Sequence, residues 1–126
     1  MASPRKRVLI VDDNEVIREI LREFLSPAYH VDTAAHAAQA LTVLIQRPPD
    51  VILLDVRMPG VDGLSLLRML RQTGVATPVI IITGYNSTEV AEEARTNGAD
   101  AYLPKPFDLR HLDRLIVDAL AAPSSR

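Results

Sequence analysis

The chain has 126 residues, 48% of them hydrophobic, and a net charge of −2. That suits one domain with a substantial core and gives no electrostatic case for nucleic-acid binding by this segment. The lack of cysteine removes disulfides, thiolate catalysis and zinc-thiolate sites; with no signal peptide and no apolar run of about 18 residues, the expectation is a cytoplasmic protein with no membrane role.

Apolar strand-like runs alternate with helical patterns five times along the chain. Residues 7–12 read as the first strand, after a polar N-terminal extension at 1–6. A helix follows from Asn14 to about Ser26, with Val16, Ile17, Ile20, Leu21 and Phe24 at helical spacing and Pro27 closing it. Tyr29–Thr33 is a second, mixed strand, and His36–Gln46 a second helix with Ala40, Leu41, Leu44 and Ile45 turned inward. Pro48 and Pro49 stop it. The third strand, 51–55, is uniformly apolar until Asp55. A loop with Pro59, Gly60 and Gly63 leads into a helix from about Leu64 to Gln72, with Leu66, Leu67 and Leu70 on one face. Residues 78–83 are the fourth strand; Asn86 or Ser87 caps the next helix, which ends at Gly98. The fifth strand is 100–103, and Asp108 caps a last helix carrying Leu109, Leu112, Leu115, Ile116 and Leu120 toward the sheet. The domain is expected over 7–122, with 123–126 as a tail.

Alternating strands and helices argue for an α/β fold with a parallel sheet and helices on both faces. Strands buried on both faces are continuously apolar, as the first, third and fourth are; the mixed second and fifth belong at the edges. Right-handed crossovers then favour the order 2-1-3-4-5, the flavodoxin-like doubly wound (βα)5 arrangement. Its order reverses between strands 1 and 3, and ligands bind beyond the strand ends at such a reversal.

Chemistry stands at those ends. The first strand ends in Asp12 and Asp13, the third in Asp55, the fourth in Thr83 and the fifth in Lys105. Carboxylates sharing a crevice repel unless a cation intervenes. Oxygen ligands select a hard ion, and three carboxylates balance one Mg²⁺ plus one lysine. Such a pocket can accept a phosphoryl group on one carboxylate, with Lys105 neutralising its oxygens and the Thr83 hydroxyl donating to one of them. Asp55, alone at a central strand end, is the best nucleophile; Asp12 and Asp13 suit the ion. The chain has 12 arginines and only two lysines, Lys6 and Lys105, so the lysine at this strand end points to a compact charge at a crowded site.

These residues resemble the receiver domain of bacterial two-component response regulators, of the chemotaxis-regulator-like kind, from Arg7 to about Ala122. The resemblance rests on Val11-Asp12-Asp13-Asn14, on Leu53-Leu54-Asp55-Val56-Arg57-Met58-Pro59-Gly60-Val61-Asp62-Gly63, on Ile81-Ile82-Thr83-Gly84, and on Gly98-Ala99-Asp100-Ala101-Tyr102-Leu103-Pro104-Lys105-Pro106-Phe107. It implies that Asp55 takes phosphate from a sensor histidine kinase or phosphotransfer protein. It implies Mg²⁺ on Asp13, Asp55 and the Arg57 backbone carbonyl, with Asp12 acting mostly through water. It implies Thr83 and Tyr102 as a switch pair reshaping the face of the fourth helix, fifth strand and fifth helix. It also implies a cis Lys105-Pro106 bond, and a downstream effector or an output domain outside this segment. Winged-helix regulators of this family often carry a second acid where Ala101 stands, and the alanine counts against that subtype. Arg57 and Tyr85, two residues past Asp55 and Thr83, are expected to overhang the pocket and slow hydrolysis of the acyl phosphate.

Two other classes compete. A Mg²⁺-dependent aspartyl phosphatase usually needs a second acid two residues past the nucleophile, where this chain has Arg57. An unphosphorylated interaction module would not need a complete pocket. His30, His36 and His111 lack metal-ligand spacing and read as surface or edge residues.

Overall fold

The computed structural model describes residues 5–58, 60–84 and 88–121. Five strands alternate with five helices: β1 (Arg7–Val11), α1 (Glu15–Leu25), β2 (His30–Ala34), α2 (Ala37–Gln46), β3 (Val51–Asp55), α3 (Gly63–Gln72), β4 (Val79–Thr83), α4 (Thr88–Thr96), β5 (Ala101–Pro104) and α5 (Leu109–Ala121). All strand pairs are parallel, in the order β2-β1-β3-β4-β5. Strand texture decides that order as expected. Every residue of β3 and β4 is buried, whereas β2 and β5 are only partly so.

Side chains alternate across the sheet and feed two cores. Leu9, Val11, Ile52, Leu54, Val79 and Ile81 pack with α2, α3 and α4. Val8, Ile10, Leu53, Ile80, Ile82 and Leu103 pack with Leu21 and Leu25 of α1 and Leu112 and Ile116 of α5. Among the described residues, no helix is long and apolar enough to cross a membrane.

The helix caps follow local chemistry. Asn14 caps α1 by accepting from the Ile17 amide at 3.1 Å, and Asp62 caps α3 by accepting from Ser65 at 2.8 Å. His36 is exposed, as expected of a surface histidine, but it also caps α2, its Nδ1 accepting from the Gln39 amide. Asp108 lies just before α5 and accepts from the Arg110 amide. Gly98, at φ +100°, turns the chain after α4. The expected caps Asn86 and Ser87, and the 123–126 tail, lie outside the described residues.

One expectation about a helix face needs correction. Ile45 is 82% exposed rather than turned inward. At about 100° per residue it lies roughly 140° around the helix from fully buried Ala40, and α2 ends before another turn could cover it. On α1 the buried stripe is Leu21 and Leu25, while Val16 (64%), Ile20 and Phe24 form a second, exposed apolar row one turn apart. The apolar arc of α1 is wider than the sheet can cover.

Candidate functional site

Asp12 directly follows β1, which stops at Val11 rather than at residue 12, and Asp55 ends β3; the two strands are neighbours where the strand order reverses, and both carboxylates are buried. Asp55 is only 5% exposed, the last residue of a fully buried strand. Continuing the alternation of their strands, Asp12, Asp55 and Lys105 all belong to the α1/α5 side of the sheet. Asp13, the next residue along from Asp12, is exposed. Asp12, Asp13 and Asp55 each offer a carboxylate oxygen within 4.8 Å of the others.

The chain partly compensates this crowding itself. Lys105 Nζ lies 3.1 Å from Asp12 Oδ2 and 3.9 Å from Asp55 Oδ1. The Asn14 amide donates to Asp12 Oδ1 at 2.9 Å, and the Arg57 amide donates to Asp55 Oδ1 at a long 3.4 Å. This is insufficient for Asp55. Burial, then the Asp12 and Asp13 charges, push its carboxyl from the ordinary 3.8 up to about 6, against the opposing pull of Lys105 and the Arg57 amide. Near neutral pH it is still mostly ionised, and it is electrostatically destabilised in that form.

An open cleft of about 350 Å³ gives access to the group; Asp12, Asp13, Asn14, Asp55, Arg57, Gly84 and Lys105 line it. The loop from β3 to α3 forms one wall through a close backbone approach. The Gly63 amide donates to the Val56 carbonyl at 2.8 Å, and a Cβ on Gly63 would collide with the Asp55 carbonyl oxygen. Met58 is buried in the core and anchors the same loop.

Thr83 takes a different place from the cleft residues. It is fully buried, and alternation along β4 assigns it to the α2/α3/α4 side, opposite to Asp55. Tyr102 belongs to that same side, beside Ile81 in register, and is half-buried. It lines a separate cavity of about 320 Å³ with Thr88, Ala91, Glu92 and Arg95 of α4. Thr83 and Tyr102 thus share a face, and the Thr83 carbonyl accepts from the Lys105 amide at 2.7 Å. The Lys105-Pro106 bond is cis. Arg57 is exposed at the cleft wall; Tyr85 lies outside the described residues.

Two arginines make contacts that no pattern in the sequence marks. Arg18 Nη1 donates to the Asp12 carbonyl at 2.7 Å. Arg71 donates to the carbonyls of Val75, Thr77 and Gly98 and to the Asp100 carboxylate, tying α3 to the entries of β4 and β5. Periodicity marks both as helix-surface arginines and says nothing of where their long side chains fold back.

The family model for the response regulator receiver domain matches residues 8–117. The chain belongs to that family. It is therefore a receiver domain of the two-component type, a phosphoacceptor signalling switch. It is 42% identical over 107 residues to the response regulator MprA of Mycobacterium sp. (strain KMS), covering 84% of this chain and 46% of that protein. The MprA of Mycobacterium avium (strain 104) is equally similar, again with 84% of this chain and 47% of the relative covered. This chain thus spans about half the length of these curated relatives. Among solved structures it is similar to the receiver domain of the Francisella response regulator 1452, with a TM-score of 0.85 at 33% identity over 91% of this chain and 97% of that one. The Vibrio cholerae chemotaxis protein CheY4 is as similar, with a TM-score of 0.86 at 33% identity over 92% and 99%.

Proposed function

We propose that Asp55 is the phosphoacceptor and that Asp12, Asp13, Asp55 and the Arg57 carbonyl hold the Mg²⁺ that the transfer requires. The observation that carries this is the raised Asp55 carboxyl at the floor of an open, carboxylate-rich cleft with one lysine at its side. Three carboxylates against one ammonium leave a charge deficit that one divalent cation fills. The donors are all hard oxygens, which fits Mg²⁺ better than a softer ion. When bound, the ion neutralises charge on the carboxylates and on phosphoryl oxygens.

The chain's own residues do the rest. An Asp55 carboxylate oxygen attacks phosphorus as the phosphorus–nitrogen bond of a donor phosphohistidine breaks; the imidazole leaves and takes up a proton. Lys105, already poised between Asp12 and Asp55, meets the incoming phosphoryl oxygens without reorganising. The cleft is open enough for a donor side chain, so a sensor histidine kinase or phosphotransfer protein is the natural source. The domain would catalyse only its own phosphorylation and dephosphorylation, in the cytoplasm.

Output would pass through Thr83 and Tyr102. Because this pair belongs to the side of the sheet opposite Asp55, Thr83 has to reach the phosphoryl group over the end of β4. That motion vacates space on the α4 side for the Tyr102 ring and changes the face of α4, β5 and α5. The receiver of that change is a downstream effector or an output domain in the longer protein. Arg57 and Tyr85 would screen the acyl phosphate from water, and Arg57→Ala should then raise the dephosphorylation rate a few-fold.

Incubation with acetyl phosphate and Mg²⁺, followed by intact mass measurement, tests the assignment. The expected result is one added phosphoryl group that chelation prevents and Asp55→Asn abolishes. An adduct that persists in Asp55→Asn, or turnover of the donor without any adduct, would overturn it.

A further inference from the structure

Asp13 is the least supported member of the acidic group. It is exposed, and its carboxylate makes no hydrogen bond or ion pair among the described residues. Asp12, by contrast, is held on every side. Its amide donates to the Ala34 carbonyl at 3.0 Å, and its two carboxylate oxygens take the Asn14 amide and Lys105 Nζ. The placement of the Asp13 carboxylate therefore falls to the backbone that carries it, beginning with the peptide between the two aspartates.

One side chain grips that peptide. Arg18, one turn into α1, sends Nη1 back to the Asp12 carbonyl at 2.7 Å, while its own amide bonds the Asn14 carbonyl at 3.1 Å. A peptide unit is planar, so orienting the Asp12 carbonyl also orients the Asp13 nitrogen and the direction in which the Asp13 Cα departs. A charge-assisted bond of this length is among the stronger restraints a loop can have. We propose that Arg18 is a positioning residue for the cation site, which presets the Asp12–Asp13 peptide so that the Asp13 carboxylate faces the ion.

This rests on the reading of the acidic cleft as a Mg²⁺ site, and the two ideas separate experimentally. Arg18 has two opposed effects. Its positive charge near the cleft repels a cation, and its bond to the loop favours one by preorganisation. A bystander charge predicts that its removal tightens Mg²⁺ binding or leaves it alone. Positioning predicts the reverse.

The test is calorimetric titration of the intact chain with Mg²⁺, without any phosphodonor. Arg18→Met keeps a long stem and good helix propensity, so folding is preserved while the donor is lost. The expected result is an about fivefold higher Kd for Arg18→Met and near-wild-type binding for Arg18→Lys, which restores a cationic donor. The Arg18→Met and Asp13→Asn effects should be less than multiplicative, since one acts through the other. With saturating Mg²⁺, the Arg18→Met phosphorylation rate from acetyl phosphate should return to wild type. Unchanged or tighter Mg²⁺ binding in Arg18→Met, independent effects in the double mutant, or a rate deficit that excess Mg²⁺ leaves in place would each overturn the role of Arg18. A wild-type protein that binds no Mg²⁺ would instead overturn the cation site itself, and this role with it.

Discussion

Replacing Asp55 by Asn should stabilise the cation-free protein. The Asp55 carboxyl stands at about 6 in the folded chain against an ordinary 3.8. At about 1.36 kcal/mol per tenfold change in proton affinity, that rise corresponds to about 3 kcal/mol held against folding when the group is ionised. Between those two values the folded state binds more protons than the unfolded state. Stability from this group therefore falls as pH rises through the window, and above about pH 6 the whole penalty is present. Asparagine is nearly isosteric, carries no charge, and can donate toward the neighbouring carboxylates. In chelator at neutral pH, Asp55→Asn should exceed wild type by up to about 3 kcal/mol, or roughly 10 °C in Tm for a domain of this size. The advantage should shrink toward zero near pH 4. Mg²⁺ should also shrink it, by stabilising wild type more than the variant. Urea melts at several pH values, with and without Mg²⁺, read it directly. A variant no more stable than wild type at neutral pH in chelator would refute the electrostatic reasoning, as would an advantage of equal size at both ends of the pH window.

Three further perturbations probe the frame around the cleft. Gly63→Ala places a methyl against the Asp55 carbonyl oxygen and 2.9 Å from its carbonyl carbon; a loss of about 2 kcal/mol in denaturant unfolding is expected, together with slower phosphorylation of Asp55. Arg71→Ala removes donors from three backbone carbonyls and the Asp100 carboxylate at a side chain only 14% exposed. It should cost about 3 kcal/mol and speed hydrogen exchange around residues 75–79 and 97–101, with no direct effect on the cleft. Lys105→Met removes the ammonium shared by Asp12 and Asp55; phosphorylation from acetyl phosphate should fall roughly 10²-fold, while the Asp55 carboxyl, followed by NMR titration, moves further up.

Much of this protein is determined along the chain itself. The uniformly apolar runs at 8–11, 51–54 and 79–82 can only be central strands of a two-faced sheet, because an edge or one-sided strand would alternate. With the mixed second and fifth strands at the edges and right-handed crossovers, that places Asp12 and Asp55 at its reversal point, and the residue types there define an acidic, oxygen-donor site. Helix faces were legible where burial follows a narrow stripe, as at Leu66, Leu67 and Leu70. They were misleading where the apolar arc is wider than the surface available, as with Ile45 on α2 and the exposed Val16, Ile20 and Phe24 on α1.

The remainder was decided only when distant segments met. Arg18 and Arg71 look like any helix-surface arginine: Asp12, Val75 and Thr77 lie in the loops flanking their own helices, off the helical spacing, and Gly98 and Asp100 reach Arg71 only through packing. The requirement for glycine at 63 comes from the β3 backbone passing against the start of α3, which no local turn signal shows. The raised Asp55 carboxyl needs both burial and two neighbouring carboxylates, and neither is a property of residue 55 alone. The separation of Thr83 and Tyr102 from the acidic cleft, on the other side of the sheet, follows from strand register. Periodicity assigns a residue to a face of its own element; charge, burial and register between elements exist only once the elements are packed.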